Sequence, residues 1–149
     1  MAKRSAKANW EGGLTDGKGS MSLGSGAFKG SFSFNTRMGD EPGTNPEELI
    51  GAALAGCYTM ALSATLEKEG HKAERIDTDA KVEFGKDDAG FSIKFIDLET
   101  TAIVNGLDDA EFHRIAEEVK KTCPVSKALS AVPINLTANL ANVESSGNI

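Results

Sequence analysis

The first third of the chain alternates between apolar and polar positions in the manner of short β-strands. Phe28, Phe32 and Phe34 all lie at even-numbered positions, whereas serines occupy the odd-numbered positions on either side of Phe32. The segment 6–34, interrupted by glycine-rich turns, therefore predicts a hairpin or meander with one solvent-facing side. The next stretch, 35–45, consists largely of turn-forming residues and predicts a polar loop that carries Arg37.

A long apolar segment follows and predicts the central helix of the fold. Asn45 is a suitable N-cap, Pro46 suits the first helical position, and two glutamates complement the positive end of the helix dipole. The helix is expected to run to Glu69 and to stop at Gly70. Its length is roughly 36 Å at 1.5 Å per residue, and small or apolar groups occupy every side. We therefore expect a second chain to cover its far face.

The second half of the chain begins with a predicted β-hairpin. Alternating stretches at 74–84 and 91–104 flank a turn rich in glycine and aspartate. Asp108 and Asp109 then start a second helix, which carries a stripe of core residues. The stripe consists of Ile115, Ala116 and Val119.

The end of the chain predicts a short helix, a last strand and a tail. Cys123 precedes Pro124 and so takes the cap position of the short helix. A strand is expected at 134–140 and a flexible polar tail at 142–149. This order of elements predicts an α+β fold, with residues 1–141 forming one domain.

The composition is that of an ordinary soluble globular protein. With 16 basic against 22 acidic residues, the net charge of −6 disfavours a nucleic-acid partner. The N-terminal residues lack the apolar core of a secretory signal, so a cytoplasmic location is expected. The uncharged run 49–66 is barely long enough to span a membrane, and its many small residues favour a buried helix without membrane association.

The two cysteines are the main candidates for covalent chemistry in this chain. In a reducing compartment Cys57 and Cys123 are expected to be free thiols. Cys57 lies three turns into its helix, so its activation requires a basic side chain; the alternative is an inert core residue. Cys123, at a helix N-terminus, has the stronger local case for a lowered pKa, with a capping or buried role as the alternative. Metal binding is disfavoured because the cysteines and two histidines lack ligand spacing.

Arg37 is the candidate for activating a thiol, although most loop arginines are surface charges. A carboxylate would orient it. Glu48 is expected to close a capping box with Asn45, which leaves Glu47 as the better partner. Glu47 precedes Cys57 by roughly 15 Å along the helix axis. Either Arg37 bridges that distance or the carboxylate belongs to a partner chain.

Several short motifs together point to a known family. The most specific is Gly-Thr-Asn-Pro-Glu-Glu-Leu at 43–49, followed by Ala-Gly-Cys at 55–57. The other motifs are Trp-Glu-Gly at 10–12, Phe-Asn-Thr-Arg at 34–37, Ile-Asp-Thr at 76–78, Asp-Ala-Gly-Phe at 88–91 and Cys-Pro-Val-Ser at 123–126. On these motifs the chain resembles the OsmC/Ohr family of thiol-dependent hydroperoxide reductases, and in particular its OsmC branch.

The resemblance implies an OsmC-like fold, in which antiparallel sheets wrap around long central helices in an intertwined homodimer. It implies a peroxidatic Cys57, a resolving Cys123, and an Arg37–Glu47 pair that activates the thiol and orients peroxide. It also implies that no metal or cofactor is bound and that an external dithiol reductant, of the lipoyl type, restores the enzyme.

The expected substrate is an organic hydroperoxide, with hydrogen peroxide reduced more weakly, in defence against oxidative or osmotic stress. Four residues are expected to form the apolar surround of the thiol: Phe34, Leu54, Tyr58 and Met60. Two alternatives stay open at this point. One is a redox sensor or binding module that uses the same disulfide as a switch. The other is a structural dimer with inert buried cysteines.

Overall fold

The computed structural model describes residues 1–141, which form two compact units, Met1–Leu49 and the described residues from Ile50 onward. The tail expected at 142–149 lies outside the described residues. Each unit contains one three-stranded sheet, and helices accompany both sheets. The predicted α+β class is therefore confirmed.

The first unit contains an antiparallel meander, as the alternating pattern predicts. Its strands are β1 (Ala6–Glu11), β2 (Lys18–Leu23) and β3 (Lys29–Phe32), with β2 in the middle. Trp10 and Phe32 pack against each other with their ring centroids 5.4 Å apart. Aromatic contact of this kind stabilises a small sheet whose side chains are exposed or only half-buried.

A single-turn helix, α1 (Phe34–Met38), occupies the start of the region that the sequence predicts as loop. Ser33 caps it reciprocally, because its hydroxyl accepts from the Thr36 N–H while the Thr36 hydroxyl accepts from the Ser33 N–H. The loop prediction is wrong here because this local cap outweighs a composition typical of turns. Phe34 thus starts a helix rather than ending a strand, and Arg37 lies in the last turn of α1.

The long helix α2 (Pro46–Lys68) begins and ends as predicted. The Asn45 side chain accepts from the Glu48 N–H at 2.8 Å, and Gly70, at φ +90°, ends the helix in a Schellman motif. The expected capping box needs one correction. The Glu48 carboxylate accepts from the Thr44 hydroxyl at 2.8 Å instead of turning back to Asn45.

The second unit is built on a mixed sheet of three strands. They are β4 (Ala73–Asp87), β5 (Gly90–Val104) and β6 (Ile134–Ala141). The central strand β5 pairs antiparallel with β4 and parallel with β6. The hairpin is tighter than predicted, because Asp87 already pairs with Gly90 and the strands extend into the expected turn.

Two further helices follow the hairpin, as the sequence predicts. Helix α3 (Asp109–Thr122) is capped by the Asp108 side chain, and helix α4 (Pro124–Ala128) has Cys123 at its N-cap. The core of this unit is made by side chains of α2, β5 and α3 that are fully buried. They include Leu54, Tyr58, Leu62, Leu66, Ile96, Leu98, Phe112 and Ile115.

Helix α2 is long and apolar enough to cross a membrane by length and composition alone. One of its faces, however, supplies four side chains to the core of the second unit, as in the core helix of a soluble domain. The opposite face is exposed and consists of small or apolar residues: Ala52, Ala53, Gly56, Met60 and Ala64.

Candidate active site

The two cysteines of the chain lie side by side in the second unit. Cys57 is on α2, Cys123 joins α3 to α4, and their sulfurs are 2.9 Å apart and share a hydrogen bond. The Tyr58 hydroxyl anchors α2 on α3 by donating to the Ala116 carbonyl at 3.0 Å. This anchor fixes the neighbouring Cys57 opposite the end of α3. The fold therefore brings together two free thiols that are distant in sequence.

Cys123 is both the C-cap of α3 and the N-cap of α4, and it is 1% exposed. Its N–H closes α3 by donating to the Val119 carbonyl at 2.9 Å, while the residue itself is the N-cap of α4. Burial alone would raise the pKa of Cys123. Nearby donor groups outweigh burial and hold the pKa of Cys123 below its ordinary value: the Cys57 thiol, the N–H and hydroxyl of Ser126, and the N–H of Val125.

Cys57 is half-buried and shows the opposite tendency. Burial raises the pKa of Cys57, the hydrogen bond with Cys123 raises it further, and the Val125 N–H only partly opposes them. The donor groups around the pair thus favour the charged form of Cys123 over that of Cys57. A reactive Cys57 thiolate needs an additional positive group, as its mid-helix position already indicates.

The first unit contains such a positive group in a fixed orientation. Arg37 donates from Nε to Glu47 Oε1 at 2.9 Å and from Nη2 to Oε2 at 2.8 Å. This bidentate bond raises the pKa of Arg37, and Glu47 itself is buried. The predicted pairing of Arg37 with Glu47, and not with Glu48, is confirmed.

The position of Arg37 follows from the way α1 is tied to the start of α2. The Thr36 hydroxyl donates to the Thr44 carbonyl at 2.8 Å, and the Asn45 amide donates to the Thr36 carbonyl at 3.2 Å. Arg37 comes next in the chain, so its backbone cannot move independently of the helix that carries Glu47. The Arg37 side chain is thus restrained at the guanidinium by Glu47 and at the backbone by the contacts of Thr36.

The comparison with known proteins identifies the family. The sequence profile described as OsmC-like protein matches residues 39–137. The peroxiredoxin OsmC of Escherichia coli strain K12 is 46% identical over 129 residues, which cover 86% of this chain and 90% of that protein. The chain belongs to the OsmC family.

More distant relatives extend this comparison within the OsmC family. An organic hydroperoxide resistance protein of Xanthomonas axonopodis pv. citri is 32% identical over 100 residues, covering 66% of this chain and 68% of its own. The crystal structure of an organic hydroperoxide resistance protein from Elizabethkingia anophelis is 23% identical and superposes with a TM-score of 0.72, covering 95% and 97% of the two chains. The predicted OsmC-like fold is therefore confirmed for this chain, but the expectation of purely antiparallel sheets is wrong, because β6 pairs parallel with β5 in the second sheet.

The four residues expected around the thiol of this OsmC-family protein have different surroundings. Leu54 and Tyr58 are fully buried in the core, and burial raises the pKa of Tyr58 well above its ordinary value. We therefore revise the expectation for these two, which shape the site by packing and offer no surface to a ligand. Phe34 starts α1, whereas Met60 is 77% exposed.

Met60 lines an open cavity of about 680 Å³ between α2 and β4. Its lining also includes Gly56, Thr59, Ser63, Arg75 and Thr78. Cys57 is not among the residues that line this cavity.

Within residues 1–141, no group of three or more histidine, cysteine, aspartate or glutamate side chains is arranged to hold a metal ion.

One residue of the OsmC-family site is not predicted from the sequence. Ser126 contributes both its N–H and its hydroxyl to the surroundings of Cys123. The available signal is its spacing, three residues after a helix N-cap, where a serine ordinarily continues the cap. The spacing alone does not reveal that the hydroxyl is buried against a sulfur.

Proposed function

We propose that this OsmC-family protein is a thiol peroxidase that reduces organic hydroperoxides to alcohols, and hydrogen peroxide more weakly. The observation that carries the proposal is the pair of free sulfurs 2.9 Å apart, one half-buried and one buried among hydrogen-bond donors. The names of the relatives, a peroxiredoxin and an organic hydroperoxide resistance protein, support the same activity.

In the first step, the Cys57 thiolate attacks the outer oxygen of the hydroperoxide. The O–O bond breaks, an alcohol leaves after taking up a proton, and Cys57 becomes a sulfenic acid. Arg37, oriented by Glu47, supplies the positive charge that favours the Cys57 thiolate and the negative charge developing on the leaving oxygen. This guanidinium comes either from the same chain or from a partner chain.

In the second step, the Cys123 sulfur condenses with the sulfenic acid and a Cys57–Cys123 disulfide forms. The short distance between the sulfurs favours this step, because little movement is needed to form the bond. An external dithiol, for which a lipoyl-type group is the candidate, then reopens the disulfide by exchange. The cycle as proposed uses no bound metal or cofactor.

We further propose that the protein works as a homodimer through the exposed apolar face of α2. Gly56 lies on this face, and a Cβ atom added there would meet no other atom within 4 Å. A second helix can therefore approach closely at this point. The substitution Ala53→Glu, which puts a charge on the face, is expected to convert the dimer to a monomer in light scattering.

The matched control for the dimer is Thr137→Glu, which adds the same charge on an exposed position of β6. It is expected to leave the molar mass unchanged. If wild-type protein is monomeric at micromolar concentration, the dimer proposal fails. We also propose, as part of the peroxidase function, that the protein acts in the cytoplasm in defence against oxidative or osmotic stress.

The peroxidase is tested by following consumption of cumene hydroperoxide and of hydrogen peroxide with dithiothreitol as the reductant. Wild type is expected to turn over, Cys57→Ser to lose all activity, and Cys123→Ser to stop after one oxidation with a sulfenic acid that dimedone traps. Oxidation of wild type once, without turnover, would instead support a redox sensor. Thiols that never react with peroxide would refute the peroxidase.

A further inference from the structure

Ser126 is buried, with 6% exposure, and its hydroxyl has no hydrogen-bond partner of good geometry among the described residues. A buried hydroxyl without a partner is costly and therefore calls for an explanation. Ser126 is the third residue of α4, whose N-cap is Cys123. Its position relative to that cap supplies the explanation.

The third residue of a helix can return a hydrogen bond to the N–H of the N-cap residue. Thr36 does so in α1, where its hydroxyl accepts from the Ser33 N–H at 2.8 Å. In α4 this option is closed, because the Cys123 N–H already donates to the Val119 carbonyl at the end of α3. The Ser126 hydroxyl is therefore left without that partner, and it is close enough to the Cys123 sulfur to influence its charged form.

A sulfur is a weak acceptor as a thiol and a much stronger one as a thiolate. The Ser126 hydroxyl is among the groups that favour the thiolate form of Cys123, together with the Ser126 and Val125 N–H groups. Building on the peroxidase proposed above, we propose that the Ser126 hydroxyl donates a hydrogen bond to the Cys123 thiolate and thereby serves the resolving half of the cycle.

In that half of the cycle, the Cys123 thiolate attacks the sulfur of the Cys57 sulfenic acid. The S–S bond forms, the S–O bond breaks, and the departing hydroxide takes up a proton to become water, which balances the proton lost by Cys123. The Cys123 sulfur is oxidised and the Cys57 sulfur is reduced. Ser126 keeps its own proton throughout, since it only donates a hydrogen bond.

The direct test is the titration of Cys123 by ultraviolet thiolate absorbance, in Cys57→Ser and in Cys57→Ser with Ser126→Ala. Loss of the hydroxyl is expected to raise the midpoint by about one pH unit, which lowers the thiolate fraction about tenfold below the midpoint. The control Ser130→Ala, at an exposed serine just beyond α4, is expected to leave the midpoint unchanged. An unchanged midpoint in Ser126→Ala would overturn the proposal.

A stability measurement separates this role from ordinary packing. At mildly acidic pH, where Cys123 is a thiol, Ser126→Ala is expected to unfold at the same urea concentration as its parent or a higher one, because it removes an unsatisfied buried hydroxyl. A hydroxyl with a structural role would lower that concentration instead. Such a loss, without a change in the titration, would also overturn the proposal.

The kinetic test uses Ser126→Ala with both cysteines present and one equivalent of cumene hydroperoxide. The rate of disulfide formation is measured by acid quenching and thiol alkylation. It is expected to fall only about threefold, because the more basic thiolate is also more nucleophilic, which offsets part of the loss in thiolate fraction. A raised midpoint with an unchanged rate would refute the role in the resolving step. A raised midpoint in a protein that never reduces peroxide would refute the peroxidase and, with it, the resolving role, while leaving the hydrogen bond intact.

Discussion

The ion pair between Arg37 and Glu47 allows a quantitative prediction for the substitution Glu47→Gln, which removes the charge and keeps the shape. The Glu47 side chain is 9% exposed and that of Arg37 is 38% exposed. Exposed pairs are worth about 0.2–1 kcal/mol, whereas breaking a buried pair costs about 3–5 kcal/mol. This half-exposed pair lies between the two, so Glu47→Gln is expected to lower the free energy of unfolding by about 2 kcal/mol.

The assay is urea denaturation of Glu47→Gln, Arg37→Met and the double variant, from which a coupling energy of about 1.5 kcal/mol is expected. The matched control is Glu48→Gln, whose carboxylate accepts from the neutral Thr44 hydroxyl and not from a cation. It is expected to cost about 1 kcal/mol or less. If Arg37 activates Cys57, both single variants at the pair should also slow oxidation of that thiol by cumene hydroperoxide about tenfold.

Two results would refute this reasoning. A coupling energy below about 0.5 kcal/mol would mean that the pair is no stronger than an ordinary surface pair. Slow oxidation in Arg37→Met together with normal oxidation in Glu47→Gln would mean that Glu47 does not orient the guanidinium. In the second case the ion pair would be a structural contact only.

Three further predictions concern the fold. Tyr58→Phe removes the hydrogen bond to Ala116 and is expected to lower the free energy of unfolding by about 1–2 kcal/mol in urea; an unchanged value would show that this bond adds no net stability. Gly70→Ala, at φ +90°, is expected to cost about 1 kcal/mol by the same assay, and a gain in stability would contradict the Schellman ending. The hydrogen bond from Arg114 holds the pKa of the Glu111 carboxyl below its ordinary value. The stability that this bond adds to the fold is therefore present when the pH is above the ordinary pKa, and it is lost as the pH falls through the lowered pKa. Arg114→Met should therefore flatten the acid side of a plot of stability against pH, and an unchanged slope would contradict this assignment.

Local chemistry explains why so much of the fold is predictable. The cap at Asn45, the glycine stop at Gly70 and the cap at Asp108 each involve residues within one helical turn, and all three are found where the sequence indicates them. The same local rules failed at α1, because a helix of one turn has no periodic apolar stripe and only its reciprocal cap reveals it. The choice of Glu47 over Glu48 also rests on a local argument, because the Glu48 carboxylate is engaged at the start of α2, although by the Thr44 hydroxyl and not by Asn45.

The sequence is sufficient for the order of elements, the helix ends and the partner of Arg37, since these depend on interactions between residues close in the chain. The contact between Cys57 and Cys123 is different, because 66 positions separate them and only the packing of α2 on α3 brings the sulfurs together. Tertiary packing likewise buries Tyr58 in the core, away from any ligand, and leaves the Ser126 hydroxyl with a sulfur as its neighbour. Burial and long-range contacts are properties of the assembled core, and no local pattern encodes them.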